Sequence, residues 1–242
     1  MQLSIVTGAS RGLGLAVAQQ LLARGHRVLG IARQAPQATP PGDWHFWPAD
    51  LADARELAAR LEAWLLAHRA AESATLINNA GVVSQPAPLS ALASDGIAHD
   101  LRVGLEAPAV LTAAFLRATA AWTAPRKVVL VSSGLGRRAM AGSAVYCAAK
   151  AGMDHLARAL ALEEAERANG ARIVSLAPGI IDTDMQLTLR SADRTLFPEG
   201  ARFAEFKASG SLDAPDTAAT RLLRYLDRPD FGSNPVGDVR DA

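Results

Sequence analysis

The sequence predicts an α/β protein: a single domain on a doubly wound parallel sheet of about seven strands, with helices on both faces. Three observations carry that prediction. Short runs rich in Val, Ile and Leu alternate along the chain with longer Ala- and Leu-rich stretches of helical period, the pattern of βαβ units. The first such run passes directly into a glycine-rich turn and a helix. The 242 residues are half apolar, enough for one substantial core, and no repeat or long linker divides them.

The elements follow in order. Leu3–Thr7 is the first apolar strand, and Gly12–Arg24 is the helix the glycine turn leads into. Arg27–Ala32 and Trp44–Pro48 are two more short runs, joined by a Pro-rich loop at Gln34–Asp43. Helical period returns over Asp53–Arg69, with Asp53 at a suitable N-cap position. Ala74–Asn78 is the fourth strand, followed by a second Pro-rich loop at Ser84–Ser90 and one long helix over Ile97–Trp122. Lys127–Ser132 is the fifth strand, and Ser143 caps a helix reaching Asn169. Arg172–Leu176 is the sixth. The long irregular stretch Asp182–Ser211 follows it, where an open α/β sheet has its ligand crevice, and is the candidate substrate lid. Pro215–Leu226 is a last helix, with a short weak strand near Val236–Val239.

Bulk properties exclude several classes. A net charge of +1 with 20% charged residues leaves no basic stripe for nucleic acid or an anionic membrane. No apolar run reaches the roughly 18 to 20 residues of a membrane span. Met1 is followed within two residues by a strand pattern rather than a charged-then-apolar leader, and the single Cys147 makes no internal disulfide. A cytoplasmic location is expected. The five His show no metal-ligand spacing with Cys or carboxylates, so no metal is expected. Cys147 has no His nearby in sequence to activate it and reads as a packing residue.

The glycine turn reads Thr7-Gly8-Ala9-Ser10-Arg11-Gly12-Leu13-Gly14. Glycines at 8, 12 and 14 let the backbone turn tightly and approach a pyrophosphate, whose charge meets the free N–H groups at the helix start. The dinucleotide is selected at the end of the second strand, where an acid suits a free ribose 2′-hydroxyl and a cation suits a 2′-phosphate. Arg33 stands there. Arg11 can reach the same phosphate, and guanidinium forks match phosphate geometry, so NADPH is the expected cofactor. The alternative is that both are solvated surface residues, because all but Lys127, Lys150 and Lys207 of the 25 basic residues are Arg.

An unperturbed tyrosine, at about 10, is a weak acid at neutral pH. Lys150 lies four residues after Tyr146, which on a helix puts both side chains on one face. An ammonium there would favour the phenolate and lower the phenol's pKa.

The glycine turn, Asn78-Asn79-Ala80-Gly81 and Tyr146-x-x-x-Lys150 together resemble the short-chain dehydrogenase/reductase family, a Rossmann-type fold, in order and spacing over nearly the whole chain. Asp50-Leu51 matches the family segment lying against adenine, and Pro178-Gly179-Ile180-Ile181-Asp182-Thr183 matches the one holding the nicotinamide and its carboxamide. The segment from Ala177 to Gln186 and the tail from Phe231 to Asp241 look like the sepiapterin reductase and benzil reductase branch. The resemblance implies cofactor contacts at Gly8, Ser10, Arg11, Gly12, Leu13, Gly14, Arg33, Asp50, Leu51, Asn79, Ala80, Gly81, Tyr146, Lys150, Pro178, Gly179, Ile181 and Thr183, with Lys150 on the nicotinamide ribose.

It also implies the rest of the catalytic set. Ser133 precedes Tyr146 by thirteen residues, the spacing of the family serine that hydrogen-bonds the substrate carbonyl. Ser132 is its rival, and on an extended strand the two would face opposite sides. Gly104 stands where the family has a tetrad Asn, thought to act through its main-chain carbonyl on a water in the proton relay. Glycine keeps a carbonyl, and Pro108 lacks the N–H that would engage it in an α-helix, so a water can take that place. The alternative is that Gly104 only marks a kink and the relay is impaired.

Met185, Leu187, Leu189, Phe197, Phe203 and Phe206 suit an apolar pocket for an aromatic or bulky carbonyl, or else anchor a helix within the lid. Asp238 aligns loosely with a carboxylate used by pterin-reducing relatives. The leading reading is NADPH-dependent reduction of a small-molecule ketone or 1,2-dicarbonyl. A 3-ketoacyl thioester reductase would share the catalytic residues but need a basic docking patch, for which Arg137 and Arg138 are the adjacent pair. A non-catalytic NADP(H)-sensing regulator would be expected to have lost the Tyr or the Lys. The resemblance further implies a homodimer or homotetramer, paired through the two long helices.

Overall fold

Seven strands form one fully parallel sheet in the computed structural model, which describes residues 1–83 and 85–241. They are β1 (Gln2–Thr7), β2 (Arg27–Ala32), β3 (Trp44–Pro48), β4 (Ser73–Asn78), β5 (Arg126–Val131), β6 (Arg172–Ala177) and β7 (Val236–Asp238), in the order β3-β2-β1-β4-β5-β6-β7. The direction of winding reverses between β1 and β4, and the crevice outside their carboxyl ends is where such sheets take ligands. Ser84, the first residue of the expected Ser84–Ser90 loop, lies outside the described residues.

Both faces are covered, which is why the central strands read as continuous apolar runs. On one face α2 (Ala54–Ala67), α4 (Ala107–Ala118) and α5 (Ala144–Ala165) bury Leu61, Leu65, Leu111, Phe115 and Met153 against β1, β4 and β5. On the other, α1 (Gly12–Ala23) and α8 (Pro215–Leu226) bury Val17, Leu21, Leu222 and Leu223. Each fully buried Leu or Phe contributes about 1.5–3 kcal/mol, more than a typical surface contact, so these two layers fix the sheet.

Three expectations change. The single helix expected over Ile97–Trp122 is α3 (Ser94–Leu101), a π-helical segment Arg102–Glu106, and α4. Within the widened segment Ala107 N–H bonds back to the Arg102 carbonyl, five residues away. The α-helical count that left the Gly104 carbonyl opposite Pro108 therefore does not hold there; in the wider register the carbonyl opposite Pro108 belongs to Val103. Second, Asp53 and Ser143 occupy the N-cap positions of α2 and α5, but neither side chain bonds the helix; Asp50 instead accepts from Ala52 N at 2.9 Å. Third, the stretch expected to be irregular holds α6 (Asp184–Arg190) and α7 (Gly200–Ala208), whose Leu189 and Phe203 pack with Phe197 and Met140 in a small third cluster. Among the described residues no helix is long and apolar enough to cross a membrane.

Candidate active site

The crevice is assembled from the carboxyl ends of β1, β4, β5 and β6. Gly8 leaves β1 at φ +68°, a left-handed conformation that favours glycine, and its N–H bonds the Ile31 carbonyl at 2.8 Å. That bond sets the end of β2, and hence exposed Arg33, beside the turn. A Cβ on Gly14 would stand 2.2 Å from the Gly8 carbonyl oxygen, so only glycine lets α1 start this close to the strand. Thr7 Oγ1 accepts the Asn79 and Ala80 backbone N–H groups, each at 3.0 Å, and Asn79 Nδ2 donates to the Thr7 carbonyl at 2.9 Å. Asn79, Ala80 and Gly81 are thereby stitched to the glycine turn.

From the other side comes the loop after β6. Gly179 turns at φ +85°, and the loop is pinned to the start of α8 by Asp213 N–H on the Ile180 carbonyl and Asp182 N–H on the Asp213 carbonyl, both at 2.9 Å. This lays Thr183 over the turn, its Cγ2 3.4 Å from where a Gly12 Cβ would stand. With that one neighbour, Gly12 opens on free space above the start of α1, a cradle a side chain would fill and a dinucleotide diphosphate fits. Ser10 is half-buried and Leu13 buried in the turn, Leu51 is buried and Asp50 exposed after β3, and Pro178 and Ile181 are buried beneath the loop. Arg11 is exposed, its Nη1 held by Asp184 Oδ2 at 2.9 Å.

The chemistry-bearing residues meet at β5 and α5. Tyr146 and Lys150 share one face of α5, with Lys150 Nζ 5.6 Å from the centroid of the Tyr146 ring. The Lys150 ammonium is buried and donates to the Val131 carbonyl at 2.7 Å; a Cβ on Gly81 would lie 3.6 Å from it. Burial lowers its pKa to about 8, against the pull of Asp154. Burial raises the Tyr146 phenol above its ordinary value, opposed by its hydrogen bond with Ser133. The expected lowering of the phenol by the lysine is thus not expressed: the ammonium donates to Val131, and loss of solvent dominates at the phenol.

The chain leaves β5 after Val131, so the strand argument for opposed serines fails and both reach α5. Ser132 is buried and committed to Asp154, whereas Ser133 is half-buried, meets Tyr146, and accepts Leu135 N–H at 3.1 Å. Gly104 is buried against α5; a Cβ there would lie 3.1 Å from Ala149 Cβ, one residue before Lys150. Asp238 is buried, not open to a ligand: Arg240 holds it at 2.6 Å and keeps its carboxyl below the usual range, with Arg137 at 4.0 Å. Val83, Leu135, Cys147 and Met185 pack, half-buried, on the Met140, Leu189, Phe197 and Phe203 cluster, and Met185 Cε and Lys150 Nζ would lie 4.0 and 3.6 Å from a Cβ on Gly81. Asp154 was not anticipated, although its place four residues beyond Lys150 on the buried face was readable in the sequence. No three of His, Cys, Asp and Glu converge as a metal set among the described residues.

Comparison with known proteins identifies the family. Residues 2–194 match the family model for short chain dehydrogenases. A benzil reductase ((S)-benzoin forming) of Bacillus cereus is 32% identical, aligned over 99% of this chain and 98% of its own. A sepiapterin reductase of Xenopus tropicalis is 30% identical over 99% and 96%. A solved short-chain dehydrogenase/reductase from Burkholderia vietnamiensis is 34% identical over 100% and 99%, with a TM-score of 0.66. The chain belongs to the short-chain dehydrogenase family, in its benzil and sepiapterin reductase branch.

Proposed function

We propose that this protein reduces a ketone or 1,2-dicarbonyl of aromatic or bulky shape to an alcohol, with NADPH as reductant and Tyr146 as proton donor. The observation that carries the reading is the meeting of Ser133, Tyr146 and Lys150, with an apolar cluster nearby, below a glycine turn open to a dinucleotide. Exposed Arg33 and Arg11 support a 2′-phosphate over a free hydroxyl, Arg11 sharing or leaving Asp184 to reach it.

A bound nicotinamide supplies the hydride. Tyr146 keeps its proton at neutral pH, since burial raises its pKa, and releases it when negative charge builds on the substrate oxygen. Ser133 shares its hydroxyl with the phenol and steadies that oxygen. Lys150, at about 8, holds a positive charge at neutral pH yet can pass a proton on to reload the phenol. Gly104, packed in the widened turn against Ala149, the residue before Lys150, is assigned to that relay by the family resemblance alone. Val83, Leu135, Cys147 and Met185 pack on the apolar part of the substrate, and α6 and α7 form the lid.

A ketoacyl thioester reductase is less well supported. Arg137, half of the only candidate docking pair, is turned inward, donating to the Gly237 carbonyl at 2.7 Å and facing Asp154 at 3.3 Å. We place the protein in the cytoplasm as a homodimer or homotetramer paired through α4 and α5, where Ala148, Ala151 and Leu162 are exposed. NADPH oxidation assayed over aromatic diketones, pterins, quinones, simple ketones and ketoacyl thioesters tests the reading. Turnover of an aromatic diketone or ketone is expected; binding of NADPH with no turnover of any carbonyl would favour a sensing role.

A further inference from the structure

One turn beyond Lys150, Asp154 is 1% exposed and is not used by the mechanism above. Three consecutive residues leaving β5 each engage one of three residues spaced by four along α5. The Val131 carbonyl takes Lys150 Nζ at 2.7 Å, Ser132 Oγ donates to Asp154 Oδ1 at 2.6 Å, and the Ser133 hydroxyl meets Tyr146. From β6, Ser175 Oγ donates to the same Oδ1 at 2.6 Å. Oδ2 is buried without a hydrogen bond, and its cation is Arg137 Nε at 3.3 Å. A Cβ on Gly136 would stand 2.9 Å from Oδ2, so the loop glycine closes directly over it.

A buried carboxylate with one oxygen unbonded is costly, and an amide oxygen would satisfy the two serines equally well. What the site retains is therefore the charge. We propose that Asp154 is a positioning residue whose carboxylate, fixed by Ser132 and Ser175, keeps Lys150 charged beneath Tyr146 and so sets the pH range in which the proton donor is reloaded. Its attraction opposes the effect of burial on Lys150. Among the described residues, the other charged or titratable groups facing this pair are Tyr146, with Cys147 beside it, on α5, Arg137 from the loop after β5, and Asp238 of β7 through Arg137. At this point β6 and the chain just leaving β5 present neutral serines. The proposal rests on Lys150 serving the proton path described above.

With three lysines in the chain, Lys150 can be titrated directly by NMR of 13Cε-labelled lysine, Lys127→Arg and Lys207→Arg assigning the other signals. Asp154→Asn, or Asp154→Ser should the amide variant not fold, is expected to lower the Lys150 midpoint by about one pH unit. Asp154→Glu should restore it. The alkaline limb of kcat/KM for NADPH-dependent reduction should move down with the midpoint, which a merely structural role would not produce. An unmoved midpoint in the neutral variants overturns the role of Asp154 and leaves the reductase reading intact. A shifted midpoint in a protein that reduces no carbonyl would instead overturn the reductase reading while upholding the Asp154–Lys150 coupling.

Discussion

Replacing Lys150 by Met should make the protein more stable while removing its activity. Lys150 is 4% exposed, and its pKa falls from 10.5 to about 8 because burial disfavours its charge. At about 1.4 kcal/mol per unit, holding that charge costs on the order of 3 kcal/mol at pH 7. Methionine keeps the aliphatic bulk but leaves the Val131 carbonyl without this donor, a loss of about 1 kcal/mol. The net gain at pH 7 is about 2 kcal/mol, or roughly 4–8 °C in Tm for a chain of this size. The sign with pH follows from linkage. Because the folded pKa lies below the unfolded one, the cost is fully present below about pH 8 and fades as pH rises toward 10.5, so the parent gains on the variant across that window. Urea unfolding of both proteins at pH 7, 8, 9 and 10 measures this directly. A variant less stable than the parent at pH 7, or a gap that does not change with pH, would refute the reasoning.

Other perturbations separate the remaining parts of the site. Arg33→Glu should lower kcat/KM with NADPH by about 10- to 100-fold and spare NADH, read from steady-state kinetics with each; an unchanged preference would return Arg33 to the solvated surface. Gly14→Ala would force a Cβ to 2.2 Å from the Gly8 oxygen, so dinucleotide binding by titration calorimetry should be lost, with a fall in stability of about 1–3 kcal/mol. Gly104→Asn must push α5 away at Ala149, 3.1 Å from the new Cβ, and should lower Tm by a few degrees without raising turnover. A many-fold faster enzyme with unchanged NADPH affinity would show that the missing side chain, not the carbonyl, is what the relay needs.

The fold was legible because its signals are local. Val- and Ile-rich runs covered on both sides read as strands, and all seven are present within a residue or two. Where longer-range packing decides, the sequence said less. The π-helical turn at Arg102–Glu106 arises where Gly104 meets Ala149 of α5, a contact no periodicity encodes. The pair at Tyr146 and Lys150 was visible from spacing, but its electrostatics were not. Spacing predicts that two charges meet, whereas the balance between burial and attraction depends on Val131, Ser133 and Asp154, which arrive from elsewhere in the chain or one turn further on. Asp238 is the clearest case: as an acid near the tail it suggested a ligand group, and only the fold shows it buried, held by Arg240 two residues on and faced by Arg137.

The central claim is that the Tyr146 hydroxyl delivers the proton that completes carbonyl reduction. Single-turnover oxidation of bound NADPH by an aromatic diketone, compared between the parent and Tyr146→Phe, tests it most directly. The account predicts a rate lower by about 10²- to 10⁴-fold with NADPH affinity preserved, because the ring stays in place and only the donor is lost. A phenylalanine variant that reduces the diketone at the parental rate would contradict it.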